Sequence, residues 1–199
     1  MSDTVINNVA SKIVSMIDES LDILNKDQIK VLVDIVADDI TVPEWLVNRD
    51  IPANRMRKII DTICDCSDKI AVNEKTNTEE KMHIIALVDN MLNSICFEVE
   101  DDELFEALCD FMCRVKDPLT VSTFISGYNA TQINQITLAY ENGMDIFDKD
   151  IFNTDISAEQ MYISRLFYLT ALKPLMDDIC PLEDMNNEEE TTEEVKNEE

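Results

Sequence analysis

Residues 77–95 read NTEEKMHIIALVDNMLNSI, and this stretch decides the fold class. Asn77 and Glu80 have the spacing of a capping box, in which two side chains satisfy backbone N–H groups at the start of a helix. The apolar residues that follow recur every three or four positions, the period of one helical face; they are Met82, Ile85, Val88, Met91, Leu92 and Ile95. The stretch therefore predicts an amphipathic α-helix with one buried face.

The same period extends in both directions from this helix. On the N-terminal side we expect a helix from about Thr4 to Leu24, a second from an N-cap at Asp27 to Ile40, a short turn after Pro43 and a helix after Pro52. On the C-terminal side, caps are predicted at Asp117, Asn129 and Ser157, helix ends at Gly127 and Gly143, and a kink or end at Pro174. The last long helix is expected to begin at Ser157 and Gln160 and to run through Met161, Leu166, Phe167, Leu169 and Leu172.

These boundaries predict an all-α protein. We expect a single bundle of about seven or eight amphipathic helices over residues 1–182, with a polar segment at 67–77 as the best candidate for an internal linker. Neither a strand pair nor an internal repeat is assigned. Residues 183–199 hold nine acidic residues and one lysine with few apolar ones, which predicts a disordered acidic tail.

Charge narrows the function classes. The chain has 42 acidic and 16 basic residues, a net charge of −26. The summed field repels phosphate, so we expect no direct binding to nucleic acid or to an anionic membrane, and a basic protein is the favoured kind of partner. The chain holds only two glycines, both at predicted helix ends, which leaves none for a phosphate-binding loop.

The sequence also predicts a location. The N-terminus has neither the basic nor the apolar region of a signal peptide, and no stretch approaches 18 consecutive apolar residues. We therefore expect a cytoplasmic protein whose six cysteines are reduced thiols. Abundant Asn, Asp, Ile and Lys with little Gly and Pro is a composition common in AT-rich viral and phage genomes.

Two cysteine pairs and one acidic loop offer possible metal ligands. Cys64-Asp65-Cys66 and the pair Cys109/Cys113 each offer two thiolates for zinc, but the first has only one intervening residue and neither has a glycine beside it. Residues 148–159 resemble a calcium loop at Asp148, Asp150 and Glu159 but lack the glycine at its sixth position. We interpret the cysteines as small buried side chains and the loop as a helix connection, so no metal or cofactor is expected.

The acidic chain contains one cluster of basic residues. Arg49, Arg55, Arg57 and Lys58 lie just after Trp45, the only tryptophan. Tryptophan and arginine are enriched at the centres of protein interfaces, so these five residues are the candidate partner contact. The alternative is that the cations pair with nearby carboxylates and Trp45 belongs to the core.

These observations favour a non-enzymatic protein–protein interaction module, an adaptor, inhibitor or assembly chaperone. One alternative is a nucleic-acid mimic whose carboxylates imitate phosphates and block a DNA-binding protein. Another is a divalent-metal-dependent enzyme that uses clustered carboxylates. No catalytic residue is assigned, and the sequence leaves the oligomeric state and the partner open.

Overall fold

A computed structural model describes residues 24–37, 42–72 and 77–179. All the regular elements in these ranges are helical, which confirms the all-α prediction. Seven α-helices are described: α1 (Lys26–Ala37), α2 (Ala53–Val72), α3 (Thr78–Glu98), α4 (Asp102–Met112), α5 (Ala130–Glu141), α6 (Ala158–Phe167) and α7 (Lys173–Ile179). Two 3₁₀ segments, Glu44–Leu46 and Pro118–Phe124, and a π-turn, Tyr168–Leu172, complete the list. The predicted helix at 4–24, apart from Leu24, and the predicted tail at 183–199 lie outside the described residues.

The helices pack mostly in chain order. Helix α1 lies against α2, α2 against α3 and α4, α4 against α5, and α5 against α6. Helix α7 continues α6 through the π-turn. The described part of the chain is therefore a series of packed helices in which α6 and α7 come last.

One hydrophobic cluster runs through this series. It extends from Leu32 and Ile35 of α1 to Met161 of α6, and its largest fully buried side chains are phenylalanines. Phe111 contacts Phe124 and Tyr140 edge to face, with ring centroids 5.6 and 6.3 Å apart. Such pairs add to the stabilisation from apolar burial, so α4, α5 and the second 3₁₀ segment form one tightly joined core.

Most predicted helix boundaries are confirmed. Capping boxes form at Asn77, Asn129 and Ser157, with Glu80, Gln132 and Gln160 as their partners. The Asp117 carboxylate accepts a hydrogen bond from the Leu119 N–H at the start of the segment that begins with Pro118. Gly127 and Gly143 have φ of 87° and 80°, the left-handed conformation that ends helices.

The N-cap of α1 differs from the prediction. The side chain of Asn25, rather than that of Asp27, accepts hydrogen bonds from the N–H groups of Asp27 and Gln28. The Gln28 side chain in turn accepts from the Asn25 N–H, which closes a capping box. Helix α1 is described to Ala37, and the expected end at Ile40 lies outside the described residues.

Helix α2 is longer than the sequence interpretation allows. It continues through Val72, so residues 67–72 of the predicted linker are helical, and residues 73–76 lie outside the described part. Two contacts explain the extension. Cys66 lies against Cys113 at the end of α4, and the Lys69 ammonium donates to the Cys113 carbonyl. These contacts hold the polar C-terminal turns of α2 against α4.

Pro174 does not end the last helix. It is the second residue of α7, which continues to Ile179, and the π-turn lies directly before it. Proline has no N–H and its ring crowds the carbonyl four residues earlier, so a regular α-turn there is unfavourable. The wider π-turn accommodates the proline, and the chain stays helical. None of the helices in the described ranges is long and apolar enough to cross a membrane.

Candidate functional site

Helix α6 has one fully buried apolar residue, Met161, in its first turn. Ser157 caps the helix, the Gln160 side chain accepts a hydrogen bond from the Ser157 N–H, and Met161 enters the core. The next core-facing positions are polar. Arg165 donates to the Gln135 side chain at 3.4 Å, and its Nε is buried without a hydrogen-bond partner. The inner side of α6 therefore contributes little apolar burial after its first turn.

The outer side of α6 and α7 carries the apolar residues instead. Ile163 is 61% exposed and Phe167 is 58% exposed. Seven of the twelve large exposed apolar side chains in the described residues fall here, and we call them the C-terminal face: Tyr162, Ile163, Leu166, Phe167, Leu172, Leu175 and Met176. A concentration of this kind marks an interaction surface, whereas scattered single residues do not.

The π-turn keeps this face continuous. The Lys173 N–H donates to the Tyr168 carbonyl, an i→i+5 bond that takes one residue more per turn than an α-helix. Ile163 and Phe167 are four residues apart, Phe167 and Leu172 five, and Leu172 and Met176 four. The five-residue step falls on the π-turn, so the extra residue returns Leu172 towards the side of Phe167. Insertions of this kind are frequent at functional sites.

Two segments of the chain share one architecture. Helices α1 and α5 both begin Asn-x-x-Gln-Ile, at Asn25 and Asn129. The helices that follow them, α2 and α6, are both entered through Ile-x-Ala-x-x-Met, at 51–56 and 156–161. The buried Gln28 and Gln132 side chains each donate to backbone carbonyls of the loop that leads into the second helix.

Arg55 continues this arrangement in α2. It is only 7% exposed, and its guanidinium donates to the carbonyls of Cys96, Val99 and Glu100, which lead into α4. The equivalent residue in α6 is Gln160, which is exposed. Helices α1, α2 and α5 thus hold the entries to α2, α4 and α6 in turn. Within the described residues the series stops at α6, whose outer face is apolar. Terminal units of helical stacks need a polar outer surface or a covering partner.

The predicted basic cluster does not form one exposed surface. Arg55 is buried under the α3–α4 connection, its guanidinium 4.6 Å from the Phe105 ring centre, so it cannot reach a partner. Arg57 pairs with Asp34 at 2.8 Å, Lys58 with Asp110 at 2.5 Å, and Arg49 with Asp50 at 3.7 Å. The cations are therefore spread among neighbouring carboxylates, as in the alternative interpretation.

Trp45 lies apart from these cations. It is half-buried, its indole N–H donates to the Asp89 carboxylate at 3.0 Å, and its ring meets Phe97 edge to face. These contacts fix the first 3₁₀ segment against α3. The role of Trp45, Arg49, Arg57 and Lys58 as a partner contact stays a prediction, whereas the burial of Arg55 removes it from any such surface.

In the part of the chain that the structure describes, the cysteines and the calcium-like loop do not make the contacts that a metal site would require. The sulfur atom of Cys66, from the first cysteine pair, lies 3.9 Å from that of Cys113, from the second. Burial raises the pKa of the Cys109 thiol to about 12. The Asp148 carboxylate accepts from the Asp150 N–H and closes a turn. Within the described ranges, no three His, Cys, Asp or Glu side chains converge as metal ligands.

The C-terminal face was missed because its residues were taken only as apolar positions of the last long helix, with no surface assigned to them. Leu166 and Phe167 follow Met161 by five and six residues, which places them away from its side of an α-helix, and both are exposed. A signal was present: Tyr162 and Ile163 extend the apolar residues around most of the helix. A helix that is apolar all round needs partners on more than one side.

No family model, curated protein or solved structure matches the chain.

Proposed function

We propose that this protein is a non-enzymatic, cytoplasmic interaction module whose C-terminal face binds a basic amphipathic helix of another protein. The observation that carries the proposal is the concentration of seven exposed apolar side chains on α6, the π-turn and α7. An amphipathic partner helix buries its apolar stripe against such a surface, with anchors at three- and four-residue spacing. An adaptor, an inhibitor and an assembly chaperone all use this kind of contact.

Charge decides between possible occupants of the face. Two copies of a chain with net charge −26 repel each other, which disfavours self-association. Asp177 and Asp178 lie in α7, and residues 183–199, with nine acidic residues and one lysine, follow it closely in sequence. A partner with lysine or arginine beside its apolar stripe gains both burial and charge complementarity. A basic partner helix is therefore favoured over a second copy.

A peptide-binding experiment tests the proposal. The probe is a fluorescent 18-residue peptide with leucine at positions i, i+3, i+4 and i+7 of each repeat and lysine or alanine elsewhere. An otherwise identical peptide carries glutamate in place of lysine. We expect the basic peptide to bind the full chain with a Kd on the order of 10 µM, measured by anisotropy. The acidic peptide should bind at least about tenfold more weakly, because like charges face each other.

Two matched variants distinguish binding at the C-terminal face from non-specific binding of the peptide. Ile163→Glu/Phe167→Glu places two charges on the face at exposed positions, whereas Met82→Glu places one at a residue of α3 that is 63% exposed. The proposal requires the double variant to lose at least about tenfold in affinity and Met82→Glu to bind as the wild type does. Equal binding by the double variant overturns it, as does a wild-type dimer, seen by sedimentation, that the double variant does not form.

A further inference from the structure

A second site lies between α2, α3 and the end of α4. A pocket of about 400 Å³ is lined there by Cys66 and Cys113 together with apolar residues of α3. Three cations also line it, namely Lys69, Arg114 and Lys116. Arg114 pairs with Glu141, so Lys69 and Lys116 are the two cations that form a local site for anions in a chain with net charge −26.

The two thiols are placed to react with each other. The Cys66 thiol donates a hydrogen bond to Cys113 Sγ, and the two sulfur atoms are 3.9 Å apart. A disulfide bond is about 2 Å long, so a small rotation of the side chains closes the gap. The cysteines belong to α2 and to the C-cap of α4, which pack directly against each other.

The surroundings give the two thiols different chemistry. The hydrogen bond from Cys66 and the charges of Lys69 and Lys58 hold the pKa of Cys113 below its ordinary value of 9.0, against the opposing effects of burial and Asp65. The same hydrogen bond, together with burial, raises the pKa of Cys66. The other charged groups near the pair are Asp110 on α4, Arg114 and Lys116 after it, and Glu141 on α5, which pairs with Arg114. Cys113 is thus the thiol of the pair that ionises more readily, and Cys66 holds its proton more tightly.

We propose that Cys113 and Cys66 form a reversible redox pair whose pocket binds a small disulfide that carries carboxylates. Cys113 is half-exposed, which admits a reagent, and Cys66 is buried behind it. Reactive cysteines beside a resolving cysteine share these properties. Lys69 and Lys116 select the substrate class, because a carboxylate-bearing disulfide pairs with them and a neutral one does not. This site is separate from the C-terminal face.

The reaction balances in two exchanges. The Cys113 thiolate attacks one sulfur of the bound disulfide RSSR, the S–S bond breaks, and one RS⁻ leaves and takes a proton from solvent. Cys66 then gives its proton to solvent and its sulfur attacks Cys113 Sγ, which expels the second RS⁻. Two protein thiols are oxidised to one disulfide, and RSSR is reduced to two RSH.

The test uses the reduced full chain and glutathione disulfide as the probe. After a timed reaction, free thiols are blocked with N-ethylmaleimide and the peptides are mapped by mass spectrometry. We expect the Cys66–Cys113 disulfide as the main product. Cys66→Ala should stop at a glutathione adduct on Cys113, and Cys109→Ala should behave as the wild type does. A lasting adduct in the wild type, or oxidation at another pair, overturns the proposal.

A second arm tests the anion site without altering either thiol. Lys116→Glu should slow the reaction with glutathione disulfide by at least roughly threefold and leave the rate with bis(2-hydroxyethyl) disulfide within about twofold. Equal slowing of both reagents would show that the cation supports the fold and selects no substrate. The wild type should also consume glutathione disulfide faster than the neutral reagent, and the reverse order contradicts the assignment.

Discussion

Gln28 and Gln132 hold the same position in two separate helix–loop–helix segments and make the same long-range hydrogen bond. The Gln28 side-chain Nε2 donates to the Ile51 carbonyl at 2.6 Å, and that of Gln132 donates to the Ile156 carbonyl at 2.8 Å. Both carbonyls directly precede the first turn of the next helix, α2 or α6. In each segment, the glutamine side-chain amide therefore fixes where the following helix starts.

Replacing either glutamine with alanine should destabilise the fold. Gln28→Ala leaves buried loop carbonyls without a donor, which typically costs about 1–3 kcal/mol. Gln160→Ala is the matched control, since Gln160 has the same helix position but is exposed and contributes only to its capping box. Gln160→Ala should lower the free energy of unfolding by less than about 1 kcal/mol. Urea unfolding measures both, and equal losses would show that the loop carbonyls are irrelevant.

Arg55 should not tolerate lysine. Its guanidinium donates to three carbonyls and to Asp102 at 2.7 Å, and lysine keeps the charge but not this planar set of donors. We expect Arg55→Lys to cost about 2–3 kcal/mol of unfolding free energy. Arg57→Lys alters an exposed pair with Asp34 and should cost less than about 1 kcal/mol. A small effect at Arg55 would contradict its structural role.

The boundaries that the sequence predicted correctly are those set by local chemistry. Asn77, Asn129 and Ser157 bind backbone groups three residues away, so their spacing alone identifies them. Asn25 has the same spacing to Gln28 but was passed over for the neighbouring Asp27. The repeat shared by α1–α2 and α5–α6 was also missed, because its defining contacts join each glutamine to a loop more than twenty residues away.

The two glycines should differ in their response to alanine. Both have positive φ, which costs an L-residue roughly 1–2 kcal/mol. A methyl group at Gly143 meets nothing within 4 Å, whereas at Gly127 it lies 2.8 Å from the Thr154 methyl. Gly127→Ala should therefore destabilise more than Gly143→Ala. Thermal melts should show Gly127→Ala/Thr154→Ser returning to the level of Gly143→Ala, because serine lacks the clashing methyl.

The alkylation of Cys113, which is half-exposed, should persist at lower pH than that of the buried thiols. Because its pKa lies below 9.0, its thiolate fraction at neutral pH exceeds that of an ordinary cysteine, and the rate should fall only as the pH drops through this lowered pKa. Cys109, with a pKa of about 12, should stay nearly unreactive through pH 9. Peptide-resolved iodoacetamide kinetics measure both, and identical pH profiles would contradict the assignment.

Neither candidate site could be predicted from the sequence, because both depend on how the helices pack. Helical period shows that Leu166 and Phe167 share a side of α6, but it does not show whether another helix lies there. The Cys66–Cys113 contact joins residues 47 positions apart, and only the packing of α2 on α4 brings them together. The predicted contact was chosen because charged residues and a tryptophan are close together in the sequence. Sequence spacing did not show that one of them, Arg55, is buried.

The central claim is that the C-terminal face receives a basic amphipathic helix, and photo-crosslinking locates the contact directly. The basic peptide carries a benzoyl-phenylalanine in place of one leucine of its apolar stripe, and the crosslinked sites are mapped by mass spectrometry. We predict crosslinks concentrated between Tyr162 and Met176 and lost in Ile163→Glu/Phe167→Glu. Crosslinks concentrated at Trp45, or spread equally over the chain and unchanged by the double variant, would contradict the account.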